Sequence, residues 1–452
     1  MTLDSADVTV VGLGVIGLCT ARSLARRGLR VVGIDRFGSG HPATSSTGPS
    51  RSIRMAYEQA IYVELAREAI VRWQGLERDI GDRILLLTGQ LDLGPGPKLD
   101  ALAAGMIAGD ASFEELGPRA IAARLPELRP RPGERALFHP EAGTVLADVA
   151  MRSISSDAES AGAALSQFEA AVGPDVSGAD ATEATDRGRQ IRSSTVVVAA
   201  GPWLGGLLAH IGVEVPLAPA VAQVTFVGLP SLEGRPGIAD WQVDEYGVGV
   251  YGHPVPGVGY KVAFDAGSAD AWVPDAEEWA PDPDEAGALA RWVEARMPAA
   301  APYLVRHQRH PWTMTPDGDF VIDRRGPLVI ADGCAGTRSS LGPPSANSSP
   351  ISWRDGPGPA PSGSRSTVRR CEGRGRRRRL RSCGEHGDLR PRMSVCDHTF
   401  GRAAWPSLRC RRTQTSLRTT TTAPSSSRHP AHDTYPKFAR RVPRTPCRYR
   451  WG

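Results

Sequence analysis

Three glycines near the start of the chain constrain its fold more than any other feature. Val8-Thr-Val-Val-Gly12-Leu-Gly14-Val-Ile-Gly17 reads as an apolar strand running straight into a glycine turn. The apolar spacing then predicts a helix over residues 18–27, with Ala21 and Leu24 on one face and Gly28 ending it. Residues 29–35 follow as a second strand that closes on an acid, Asp35. Each glycine has its own physical reason. Gly12 permits the tight turn, Gly14 lets the backbone approach a pyrophosphate, and Gly17 lets helix and strand pack closely. The helix N-terminus supplies free N–H groups and a positive dipole that suit phosphates. Asp35, 23 positions after Gly12, can accept hydrogen bonds from a ribose, with Arg36 beside it. A lone glycine triplet says little, but the complete strand–turn–helix–strand–acid unit predicts a dinucleotide site in an α/β fold.

A second segment separates nicotinamide from flavin as the expected cofactor. Ser194-Thr-Val-Val-Val-Ala-Ala200-Gly201-Pro-Trp203 is a buried strand ending in a small-residue turn, far down the chain from the first unit. Flavoproteins of the glutathione-reductase type place such a strand and turn beside their FAD-binding unit, which single-domain nicotinamide enzymes seldom need.

Charge divides the chain in two. The 452 residues carry a net charge of +5, but residues 338–452 hold 25 Lys+Arg against 6 Asp+Glu, and residues 1–337 hold 29 against 43. Cysteine divides at the same place: Cys19 and Cys334 lie in the first part and five others in the second. No pair has the CxxC spacing of a zinc or redox centre, so no metal is expected. Beyond Arg338 apolar periodicity stops, and Ser, Pro, Gly, Arg and Thr dominate, with Arg376-Arg-Arg-Arg379 and Thr419-Thr-Thr-Thr422 as low-complexity runs. A basic arm for nucleic acid is one reading of this tail. The other is a shifted reading frame, and back-translation favours it. Leu341 to Gly356, written in GC-rich codons, encodes Gly-Pro-Ala-Ile-Gly-Glu-Leu-Leu-Ala-Asp-Leu-Val-Glu-Gly from the third base, an amphipathic helix. The tail is therefore expected to be disordered, with a frameshift near Thr337, and nucleic acid is not the expected partner. No apolar run reaches the ~20 residues of a membrane helix. The start, Met1-Thr-Leu-Asp-Ser-Ala-Asp7, lacks the positive stretch of a signal peptide, so a cytoplasmic location is expected.

Ser45-Ser46-Thr-Gly48-Pro-Ser-Arg51-Ser-Ile-Arg54-Met-Ala-Tyr57 resembles the segment that passes under the flavin in the monomeric sarcosine oxidase and N-methyltryptophan oxidase family. More of the pattern follows in order. Thr88-Gly89 precedes a strand and Gly143-Thr-Val-Leu-Ala-Asp148 a helix; Val215-Pro-Leu-Ala-Pro219 and Gly259-Tyr-Lys261-Val come next. Thr313-Met-Thr-Pro-Asp-Gly-Asp319 then leads to Leu328-Val-Ile-Ala-Asp-Gly333. The resemblance covers residues 5–337 and implies an FAD-binding Rossmann-like domain (1–80, 141–214 and 306–337). It also implies a mixed-sheet substrate domain (81–140 and 215–305), including a helix over residues 286–297. By the same resemblance the cofactor is FAD, held by Gly12, Gly14, Val15, Ile16, Gly17, Asp35, Arg36, Ser45, Ser46, Gly48, Arg51, Ala200, Gly201, Trp203, His310 and Gly333.

The activity so implied is oxidation of the C–N bond of an N-methyl amino acid or similar secondary amine, with O2 as acceptor and hydrogen peroxide as product. Arg54 matches the arginine that clamps the substrate carboxylate, and a guanidinium fork suits that group. Arg51 matches the arginine near the flavin ring. Lys261 matches the lysine that activates oxygen. It is one of three lysines against 51 arginines, and a compact ammonium there can stabilise developing superoxide. Trp312 matches an aromatic of the pocket lining. Three departures stand out. The cysteine that often links to the flavin is replaced by His310, which predicts non-covalent FAD. Asp265 stands where sarcosine oxidases place a histidine, which sets this chain apart from them. The second carboxylate cation and a core helix belong after Gly336-Thr337, where the chain reads Arg338-Ser-Ser. Alternatives stay open: a D-amino-acid or glycine oxidase, an amine dehydrogenase, an inactive frameshifted product, or nucleic-acid binding through the tail.

Overall fold

The computed structural model describes residues 3–332, apart from 39, 216, 243–248, 266–274, 276–279 and 316–318. Gly333 and the basic tail lie outside the described residues.

The first unit forms as its glycines dictate. Strand β1 (Leu3–Val11) leads through the turn into helix α1 (Val15–Ala25), and β2 (Val31–Asp35) returns parallel to β1 with Val8 opposite Val31 and Val11 opposite Ile34. The helix begins three residues before position 18 because Gly14 is already its N-cap. Its exit bends at Gly28, whose φ of +82° lies in the left-handed region that glycine enters without steric cost. Around this unit an eight-stranded sheet assembles. Its parallel core runs Leu328–Asp332, Gln190–Val198, β1, β2 and Ala164–Gln167. Asp180–Thr185 and Ala171–Ser177 extend it antiparallel along the first half of Gln190–Val198. Such a core is buried on both faces, which explains continuous apolar runs such as Val196, Val197 and Val198.

A second eight-stranded sheet runs in the order Ala301–Met314, Ala218–Gly228, Gly259–Phe264, Val250–Val255, Gly237–Asp240, Gln90–Leu93, Ala136–His139 and Glu114–Leu116. It is antiparallel except where Gly237–Asp240 meets Gln90–Leu93. Strand Ala301–Met314 belongs to this sheet along its whole length, so position 306, expected at a domain boundary, falls inside a strand. A small third sheet pairs Gly143–Val145 with Arg51–Ile53 and with Leu85–Leu86, both antiparallel. The helix expected over 286–297 spans Pro283–Arg296. It starts earlier because the Asp282 carboxylate accepts the N–H groups of Asp284 and Glu285 at 2.9 and 3.2 Å.

Candidate active site

Backbone sterics draw the turn after β1. Gly12 holds φ at +91°, and a Cβ there would lie 2.5 Å from the Ala199 carbonyl oxygen. A Cβ on Gly17 would lie 1.7 Å from the Gly12 carbonyl oxygen, so helix and strand could not close. Gly14 is different: a Cβ there meets only Ser46 Oγ, at 3.1 Å. The protein itself barely requires a glycine at 14, and the space is left for something approaching the helix start. Asp35 fixes the rest of the turn. Its Oδ2 accepts from Leu13 N at 2.6 Å and its Oδ1 from Phe37 N at 2.7 Å, while burial pushes the carboxyl pKa up. Each oxygen keeps a lone pair for a further donor.

These residues line an elongated cavity. Gly12, Gly14, Val15, Ile16, Asp35, Arg36, Ser45, Ser46, Ala200, Gly201 and Trp203, widely separated in sequence, meet around it. Arg36 pairs at its rim with Asp275, which also accepts the Trp203 indole N–H at 3.1 Å. Gly17 and Gly48 line no part of it. Gly48 is buried with φ +96° against the Gln308 side chain, so it shapes the loop rather than facing the cavity.

A second cavity adjoins the first at Val15, Ser45, Ser46 and Thr313. Its wall brings together the sequence candidates Arg51, Arg54, Lys261, His310 and Trp312 with Gln90, Tyr251, Asp265 and Trp73. Arg51 ties down the loop over residues 45–50, donating to the carbonyls of Ser50 and Thr47 at 2.7 Å each and to that of Ser45. Lys261, 3% exposed, donates from Nζ to the Ser50 carbonyl at 3.3 Å. Burial first, and the Arg51 charge second, hold its pKa well below the usual lysine range. The group expected from sequence as an ammonium is therefore desolvated, which weakens its hold on the proton. His253 and His310 are held well below the ordinary imidazole range, by burial and then by the charges of Lys261 and Arg51. His253 Nε2 lies 3.0 Å from Ser50 Oγ, and His310 Nδ1 has no partner among the described residues.

Arg54 is half-buried, with its guanidinium carbon 5.0 Å from the Tyr57 ring centroid and 5.4 Å from that of Trp241. No carboxylate among the described residues forms an ion pair with it. Burial works against its charge, but Tyr57, Asp265 and Asp92 outweigh that and leave its pKa raised. A cation so placed at a cavity wall is a site for a small anion.

Residues 7–347 match the family of FAD dependent oxidoreductases. The chain belongs to that family. FAD is accordingly its cofactor, and the structure fits it. The open space at Gly14 lies at an α1 start whose N-cap residue brings no side chain, and Ser45 Oγ and Thr313 Oγ1 are buried without partners among the described residues where the two cavities meet. Peroxisomal sarcosine oxidase of Homo sapiens is 27% identical over 75% of this chain and 90% of its own length. Monomeric sarcosine oxidase of Streptomyces avermitilis is 29% identical over 70% of this chain and 84% of its own. Among solved structures, NikD, an unusual amino acid oxidase essential for nikkomycin biosynthesis, shares the fold. Its TM-score is 0.67 at 22% identity, over 77% of this chain and 96% of that one. No helix among the described residues is long and apolar enough to cross a membrane.

Sequence reasoning missed Thr313, Tyr251, Gln90 and Trp73 on the cavity walls and Asp332 at the end of the parallel core. Gln90 carried a signal. Together with Asp92 it puts two polar residues at alternate positions of an otherwise apolar strand, which a buried strand tolerates only when both find partners.

Proposed function

We propose that this chain oxidises the C–N bond of an N-methyl amino acid or similar secondary amine to an imine, with O2 as acceptor and hydrogen peroxide as product. The observation that carries this reading is Arg54, a ring-flanked guanidinium on the wall of a cavity that adjoins the dinucleotide cavity. Bound FAD supplies the hydride acceptor. The α1 start with Gly12 and Gly14 would hold its pyrophosphate and Asp35 a ribose, while Ser45, Ser46 and Thr313 would meet it where the cavities join. Arg54 binds the substrate carboxylate and so orients the C–N bond, and Tyr251 and Trp312 wall the space against water. Lys261 serves the oxygen half of the reaction. Negative charge developing beside Nζ raises the proton affinity that burial lowered, so the amine can take up a proton there. The sarcosine oxidase relatives support the substrate class.

The full chain, supplied with FAD and kept from air, tests this with N-methyl amino acids and the matching amines that lack a carboxylate. Flavin colour is expected to bleach with the former, and air should restore it with release of peroxide. Equal bleaching by both sets removes Arg54 from the role, and failure of air to restore the colour points to a dehydrogenase. We also read the FAD as non-covalent, with His310 as an unlinked wall residue: acid precipitation should leave the yellow colour in the supernatant. Two cysteines in residues 1–337 suit a reducing cytoplasm. The simultaneous change of charge, cysteine and periodicity near Thr337 supports the shifted frame, which the nucleotide sequence of the gene tests directly.

A further inference from the structure

Strand Gln90–Leu93 buries two polar side chains almost completely, Gln90 at 3% and Asp92 at 0% exposure. Asp92 meets three nitrogens: Gln90 Nε2 at 3.1 Å and His139 Nε2 at 2.7 Å on Oδ2, and Trp241 Nε1 at 2.9 Å on Oδ1. A carboxylate only accepts, so each of these nitrogens donates to it. The backbone seats the same tryptophan, whose N–H donates to the Leu93 carbonyl at 2.7 Å. Gly94, with φ +145°, passes so close that a Cβ there would lie 2.9 Å from Trp241 Cβ. An indole held at its backbone, its flank and its N–H has little freedom to turn.

Two cations lie against that ring, Lys98 Nζ at 4.4 Å from the centroid and the Arg54 guanidinium carbon at 5.4 Å. Lys98 has a carboxylate of its own, Glu58, at 2.5 Å. Arg54 is held by rings and stays available to a ligand. Neither Asp92 nor Trp241 lines the cavity, so both act from behind the residue that does. We propose that Trp241, pinned by Asp92, is a positioning residue that sets the Arg54 guanidinium for a substrate carboxylate. It thereby favours amino acids over simple amines. The proposal rests on the reading of Arg54 as the carboxylate clamp.

Calorimetric titration of the FAD-loaded full chain with propionate, and with propionamide as the uncharged probe, tests it. Trp241→Leu should weaken propionate roughly tenfold, the scale of a partly desolvated cation–ring contact, and leave propionamide unchanged. Trp241→Phe, which keeps a ring but lacks the N–H, should recover part of the loss. A residue that only fills space would affect both probes alike and gain nothing from Phe over Leu, and that result overturns the proposal. Should Trp241→Leu fail to fold, Trp241→Phe alone decides: propionate binding equal to that of the unchanged protein overturns the proposal. Arg54→Met separates the two levels of the argument. If it weakens propionate while Trp241→Leu does not, only the role of Trp241 falls. If it leaves propionate binding unchanged, or the unchanged protein does not prefer propionate to propionamide, the clamp falls and the positioning role with it.

Discussion

The two adjoining cavities are built by different means. The dinucleotide cavity depends on where side chains are missing: glycines let a carbonyl, a helix start and a strand come within contact distance. The other cavity depends on where charges have been buried. Lys261, His253 and His310 sit at 3% exposure or less on strands of the second sheet, close to the Arg51 charge that lowers the pKa of each. The first design is rigid and cheap in electrostatics. The second stores unfavourable ionisation that a ligand can relieve, which is where chemistry is expected.

Substitutions can break this contrast or sharpen it. The largest effect is expected from Gly17→Ala, which drives a methyl into the Gly12 carbonyl and should destabilise by more than about 5 kcal/mol. Gly14→Ala, whose methyl meets only Ser46 Oγ at 3.1 Å, should shift the thermal melt of the FAD-free protein far less than Gly17→Ala and weaken FAD binding at least about tenfold. If the two variants melt alike, the distinction between a packing glycine and a cofactor glycine is wrong. Asp92→Ala, behind the second cavity, leaves two buried N–H groups and the part-buried Trp241 indole N–H without an acceptor, and urea unfolding should show a loss of about 3–5 kcal/mol.

The dinucleotide region holds one buried acid that tests the contrast from the other side. Glu183, 0% exposed, accepts from Gly173 N at 2.9 Å, and burial raises its pKa from 4.5 to about 7. The folded protein therefore loses stability as pH rises from 4.5 towards 7 and gains it back below. Glu183→Gln should stabilise by up to about 3 kcal/mol at pH 8 and by almost nothing at pH 4. An equal effect at both values would mean that ionisation is not involved.

The smallest effect is a slope. Burial depresses the His253 pKa well below 6.5, so the unfolded chain takes up a proton that the folded one refuses, and stability falls as pH drops below 6.5. His253→Gln should remove about 1.4 kcal/mol per pH unit from that acid slope. Unfolding at pH 7 and pH 5.5 measures it, and an unchanged slope would show that His253 does not resist protonation.

How much could be read in advance follows from where the residues lie in the chain. The Gly12–Gly14–Gly17 turn, Asp35 and the run from Ser45 to Arg54 are local features with fixed spacing, and of them Gly12, Gly14, Asp35, Ser45, Ser46, Arg51, Ser52 and Arg54 reach a cavity wall. Lys261 stood out because lysine is so rare here, but its burial against the Ser50 carbonyl was not legible. Nor was it legible how far burial would lower its pKa, because desolvation depends on strands that sequence spacing does not bring together. Tyr251 escaped notice for the same reason, and Gln90 was marked only by its alternation with Asp92: the order of strands in the second sheet is what puts both on the cavity wall that carries Arg54.

By itself the sequence determined the dinucleotide turn, because the sterics of a missing Cβ and the alternation of apolar residues act over a few positions. The tertiary structure alone decided which charges lose their water and which N–H groups Asp92 must satisfy. Those quantities depend on neighbours brought in from distant strands. The pairing of Arg54 with Trp241, 187 positions apart, is of that kind.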